Sequence, residues 1–128
     1  MPRRAAWVAA LVLATVAALL PAAVADARAT LRCKSADLRY PFEPGGPKSF
    51  GVFKLRITGG RCGTAHRVAK AWMHKLEASI RSPGPLKVPR RAGGFAFTTL
   101  PPDAAQTYNE RGRRNTTTVR FDYRVPNG

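Results

Sequence analysis

Two histidines and two cysteines have the widest chemical repertoire in this chain: His66, His74, Cys33 and Cys62. The histidines are eight residues apart on one helical stretch, about 12 Å along the axis at the helical rise. That distance excludes a shared metal ion, and neither histidine has the i,i+4 partner of an H-E-x-x-H pair. No CxxC or Cys-His spacing builds a metal site around the cysteines, so neither a metal nor a cofactor is expected. His74 with Glu77 is the adjacent histidine–acid pair that could serve as general acid and base, as a small secreted nuclease would require. Both are expected to face water with no pocket. Ser35, Ser49, Ser79 and Ser82 all lie outside any G-x-S-x-G turn, and this weighs against an enzyme. Gly45-Gly46, Gly59-Gly60 and Gly93-Gly94 lack phosphate-loop spacing and read as turns.

The cysteines take their meaning from the leader. Met1-Pro2-Arg3-Arg4 is positive, Ala5 to Leu20 is apolar apart from Thr15, and Ala23-Val24-Ala25 follows Pro21. This order is that of a cleavable secretory signal peptide over residues 1–25, cut before Asp26, with Ala25-Asp26-Ala27 offering a second choice before Arg28. A retained membrane anchor would want roughly 20 apolar residues, and the run falls short of that before the proline. Residues 26–128 then form a single small basic domain, and the protein is expected to be secreted or associated with the cell envelope. In an oxidising compartment Cys33 and Cys62 read as a disulfide pair.

Charge is the loudest compositional fact, at +15 for the whole chain. Arginine outnumbers lysine, and the guanidinium fork suits bidentate contact with phosphate or carboxylate; the competing reading is the background composition of a GC-rich genome, with net charge serving solubility. Candidate anion-binding residues are Arg67 and Lys70 on the helix, Arg90 and Arg91 after it, and Arg111, Arg113 and Arg114 near the C-terminus. Anionic envelope polymers, phospholipid or an acidic protein are the expected partners. Nucleic acid is expected to bind only non-specifically, because aromatic side chains are not interleaved with these charges as in single-strand binders. Asn115-Thr116-Thr117 is a formal glycosylation sequon.

The elements that must position these residues follow from periodicity. Leu38 to Phe42 gives a short extended piece. Phe53, Leu55 and Ile57 alternate with Lys54, Arg56 and Thr58, the pattern of a strand with one buried side. Thr64 is the expected N-cap of a helix over about 64–81. Its apolar stripe runs through Ala65, Val68, Ala69, Trp72, Met73, Leu76 and Ile80, and Glu77 and Arg81 are spaced to pair. Ser82-Pro83-Gly84-Pro85 stops this helix. Phe95 to Thr99 reads as a strand and residues 103–114 as a polar loop. Thr117 to Val125 is a last strand, with Val119, Phe121, Tyr123 and Val125 inward. The expected fold class is α+β: a small two-layer sandwich of three to four antiparallel strands packed by one main helix.

The stretch Leu55 to Trp72, with Gly59-Gly60-Arg61-Cys62-Gly63-Thr64-Ala65 at its turn, resembles a pattern in small exported actinobacterial proteins of uncharacterised function. Gly94-Phe95 and Val119-Arg120-Phe121 match its later parts. The resemblance implies a strand, a Gly-x-Cys-x-x-Ala turn, a helix and a final basic strand. Such proteins carry a further cysteine shortly after the Gly-Phe pair, where this chain has Phe97, so Cys33 is the partner left for Cys62. The functional expectation is a non-enzymatic envelope or extracellular interaction module that contacts anionic partners. Its competitors are a small secreted hydrolase or nuclease, and an inhibitor-like effector acting through an exposed loop at 41–49 or 101–115.

Overall fold

A computed structural model describes residues 29–126. The expected signal peptide lies outside the described residues. In chain order the elements are β1 (Thr30–Arg32), a short 3-10 turn (Ala36–Leu38), β2 (Arg39–Tyr40), β3 (Phe50–Thr58) and α1 (Cys62–Arg81), then β4 (Arg91–Ala92), β5 (Phe95–Leu100), β6 (Thr107–Arg114) and β7 (Thr117–Arg124). The strands form one seven-stranded sheet in the order β1-β3-β7-β6-β5-β4, with β2 also pairing to β3. Every pairing is antiparallel. The class is α+β, but the expectation of three to four strands is overturned by this larger sheet. Strands β1, β2 and β4 are two or three residues long, too short to display a period.

β6 was hidden for a different reason. Its inward positions are Tyr108, Glu110, Gly112 and Arg114, and its outward ones include Arg111 and Arg113, so no apolar alternation marks it. Gly112 is required because the ring of Phe97 occupies its inner side: a Cβ there would stand 2.6 Å from Phe97 Cζ. Glu110 is fully buried and accepts a hydrogen bond from Thr99 Oγ1 at 3.0 Å. Residues 103–114 are therefore mostly strand, and the exposed loop expected at 101–115 shrinks to the segment between β5 and β6.

A bulge in β3 corrects a second expectation. The partner on β7 steps from Asp122 to Arg120 while β3 steps from Phe53 to Arg56, so β3 carries one extra residue. Lys54 takes up the irregularity at φ 53°. Upstream of it Val52 faces the core, and downstream Leu55 and Ile57 do so. Phe53 turns to the opposite side, where Arg39 and Arg124 lie over its ring at 4.2 and 4.0 Å from the centroid.

α1 begins two residues earlier than expected. Arg61, in extended conformation, is the N-cap, and Thr64 sits in the first turn with its N–H bonded to the Arg61 carbonyl at 3.1 Å. Ala65, Val68, Ala69, Trp72, Met73 and Leu76 are buried against the sheet, as the stripe requires. Ile80 does not join them and is 54% exposed. Trp72 stands at the centre of the core, with Phe121, Tyr123, Tyr108 and Phe97 at ring-centroid distances of 5.2, 5.4, 6.3 and 6.4 Å. Its indole N–H donates to the Pro89 carbonyl at 3.2 Å, as a buried indole needs. Cys33 and Cys62 form a disulfide across a Cα–Cα distance of 5.3 Å, fastening the segment after β1 to the first turn of α1.

Candidate anion-binding face

Because α1 covers one face of the sheet, the alternation of β1, β3, β7 and β6 sends every second side chain to the other face. The registers pair Arg32 with Arg56, Arg56 with Arg120, and Arg120 with Arg111. Four arginines therefore stand in one row across four neighbouring strands, and Thr98 continues it on β5. Adjacent strands are about 4.8 Å apart, so the row spans about 14 Å. A second row beside it runs Thr30, Thr58, Thr118, Arg113, Ala96 and Arg91, with the hydroxyls of Thr30 and Thr58 bonded at 2.7 Å.

Like charges placed directly opposite one another across strands are destabilising. Among the described residues Lys54 pairs with Asp122 at 3.8 Å and His66 is hydrogen-bonded to Asp37 at 2.6 Å, so no carboxylate pairs with the arginine row. The Nε atoms of Arg111 and Arg120 are buried without a hydrogen-bond partner. An unpaired buried donor costs about 1–3 kcal/mol. Both features mark this row as expensive for the fold.

The sequence-expected residues scatter over the molecule. Arg111 belongs to the arginine row, and Arg113 and Arg91 to the second row. Arg114 turns to the other face and stacks over Phe95 at 4.8 Å. Arg67 donates to the Gly93 carbonyl at 3.2 Å, on the side of α1, and Lys70 and Arg90 are exposed elsewhere. Arg32, Arg56 and Arg120 escaped notice because they are remote in sequence and converge only through strand register. The outward alternation of Arg56 and Arg120 was the signal available for them.

The bulge also shapes the surface. Between β1 and β2, where both pair with the same edge of β3, lies a depression of about 480 Å³ lined by Arg32, Cys33, Arg39, Lys54, Leu55 and Arg56. Arg39 is held by bonds from Nε to the Val52 carbonyl at 2.8 Å and from Nη2 to Ser35 Oγ at 3.1 Å. Arg56 Nη1 donates to the Lys54 carbonyl at 3.0 Å.

His74 is exposed and does not join Glu77 in a site. Glu77 is half-buried and lines a cleft of about 520 Å³ with Tyr40, Ile80, Arg81, Tyr123, Val125 and Pro126, contrary to the expectation of no pocket. Its Oε1 accepts from the Tyr123 hydroxyl at 3.4 Å, and the expected ion pair with Arg81 is not formed. Burial, with Tyr40 alongside, holds the Tyr123 hydroxyl far above its usual range. His66 is half-buried, and its hydrogen bond to Asp37 lowers the pKa of that carboxyl below the ordinary value.

Glu110 is the titratable group most altered by folding. Burial pushes its pKa up from 4.5 to about 7, with the Thr99 hydrogen bond opposing the rise. The unfolded chain thus releases this proton at lower pH than the folded one. Stability is fullest below about pH 4.5 and declines as pH rises toward about 7, by roughly 3 kcal/mol from this group. Urea unfolding of E110Q against the native chain is expected to lose that slope, and an unchanged slope would assign it to another group.

Among the described residues no cluster of histidine, cysteine and carboxylate side chains could hold a metal ion, and no helix is long and apolar enough to cross a membrane. No protein family, curated protein or solved structure matches the chain.

Proposed function

We propose that this protein is an exported, non-enzymatic interaction module that contacts anionic partners through the open face of its sheet. The observation that carries the reading is the row Arg32, Arg56, Arg120 and Arg111, built at a cost to the fold and, among the described residues, without a carboxylate paired to it. A polyanion laid across the strands would supply the missing countercharge, and several guanidiniums in line would engage it with bidentate contacts. The disulfide supports action outside the cytoplasm, where envelope polymers, acidic lipid surfaces and acidic proteins offer such charge.

The test is binding of the oxidised domain to a teichoic-type glycerol phosphate polymer, acidic vesicles and DNA across a salt series. Affinity should fall steeply and log-linearly with salt, and the polymer should be recovered intact. R120Q/R111Q should flatten the salt slope by about two contacts, whereas R67Q/K70Q, on the helix side, should leave it nearly unchanged. Absence of binding at low salt, or cleavage of the polymer, would overturn the reading.

A further inference from the structure

The depression at the β3 bulge shares Arg32 and Arg56 with the arginine row but differs from it in kind. Four cationic side chains, Arg32, Arg39, Lys54 and Arg56, line one concavity of about 480 Å³, and no carboxylate among the described residues lines it. Its volume falls in the range of small-ligand sites. Two of the four are fixed before any ligand arrives. Arg39 is tied to the Val52 carbonyl and Ser35 and stacked on Phe53, and Arg56 is tied to the Lys54 carbonyl. The wall opposite is covalently held, since Cys33 is disulfide-bonded to α1 and its N–H donates to the Leu55 carbonyl at 2.8 Å. Asp122 reaches Lys54 from β7 at 3.8 Å, but that lysine side chain is 60% exposed and free to exchange partners.

We infer that this depression is a pocket for a multiply charged phosphoryl group, such as the terminal phosphate of an anionic chain lying along the arginine row or a free phosphate ester. Four positive charges around one cavity match an anion carrying more than one charge better than a lone carboxylate. A phosphomonoester brings nearly two negative charges and three acceptor oxygens, enough for several fixed guanidinium donors at once. The inference rests on the proposed anion-contacting role of the sheet face for the polymer form of the ligand, whereas the free-ester form stands without it.

Pyrophosphate is the first probe, titrated into the oxidised protein by calorimetry and by amide NMR. A single saturable site is expected, with shifts concentrated at residues 32–34 and 53–56. R56Q and, at an exposed position, R32Q should each weaken it by about tenfold or more, while K87Q, in the segment between α1 and β4, should not. Malonate, a dicarboxylate, should bind at least about tenfold more weakly. Glycerol phosphate polymer compared before and after phosphatase treatment separates the sources: tighter binding by the phosphate-ended form assigns the pocket to chain ends, and equal binding assigns it to free esters. Polymer binding that persists while pyrophosphate fails to saturate would overturn the pocket and leave the face reading in place. Malonate binding as tightly as pyrophosphate, or R56Q behaving like K87Q, would also overturn it. Failure of both probes at low salt would overturn both readings.

Discussion

W72A is expected to remove about 3–5 kcal/mol of folding stability, a large share of the 5–15 kcal/mol available to a domain. Trp72 is fully buried and touches the aromatic side chains of β5, β6 and β7 at once. Truncation would leave a cavity that these rigid strands cannot collapse into. It would also strip the Pro89 carbonyl of its donor, loosening the segment that leads from α1 back to the sheet. W72F separates the two effects, because it refills most of the volume but cannot donate to Pro89. Chemical denaturation should rank native above W72F and W72F above W72A. A loss under about 1 kcal/mol for W72A would mean that the core is not organised around this residue.

The second large effect is expected from the disulfide. Cys33 and Cys62 are 29 residues apart, and a loop of that length should stabilise the fold by roughly 3–4 kcal/mol on the chain-entropy account. C33S/C62S, or the reduced protein, should therefore melt well below the oxidised form, by about 4–8 °C for each kcal/mol lost. The effect should not be purely global. β1 is three exposed residues, and the cross-link is what anchors its end to the helix. Amide exchange in the reduced protein should rise first at Thr30 to Cys33, taking Arg32 out of the arginine row before the rest of the sheet opens. Uniform protection across β1 and β3 after reduction would contradict this.

What could be read from the sequence depended on whether a signal was local. The helix was legible because Val68, Trp72 and Leu76 repeat at its own period and Pro83 ends it. β7 was legible because Val119, Phe121 and Tyr123 alternate without interruption. The disulfide followed from an even cysteine pair in a chain whose N-terminal residues read as an export leader. β6 was not legible, because Gly112 yields its inward place to the ring of Phe97 and Glu110 puts a carboxyl where a strand pattern demands an apolar residue. The bulge at Lys54 defeated the pattern in β3, since one inserted residue exchanges the two faces of everything upstream of it. The outward places of Arg56 and Arg120 were legible from their alternation, but the row itself was not, as it exists only after positions 32, 56, 120 and 111 are brought into register.

The edges of the sheet bear on how this protein avoids pairing with copies of itself at high concentration. A long free strand edge is a template for another chain, and natural sheets blunt it with short strands, charges and prolines. Here β3 is shielded by two fragments, β1 and β2, set end to end, and each ends next to an arginine or carries one. On the opposite side β4 covers the start of β5, and Pro101-Pro102 follow Leu100 directly. On that side of β5, Thr98 to Leu100 have no strand partner among the described residues, too few to recruit a strand from another copy. The three scraps of strand that the sequence scarcely signals thus act as guards against fibril-like stacking, and lengthening any of them would trade that protection for a stickier molecule.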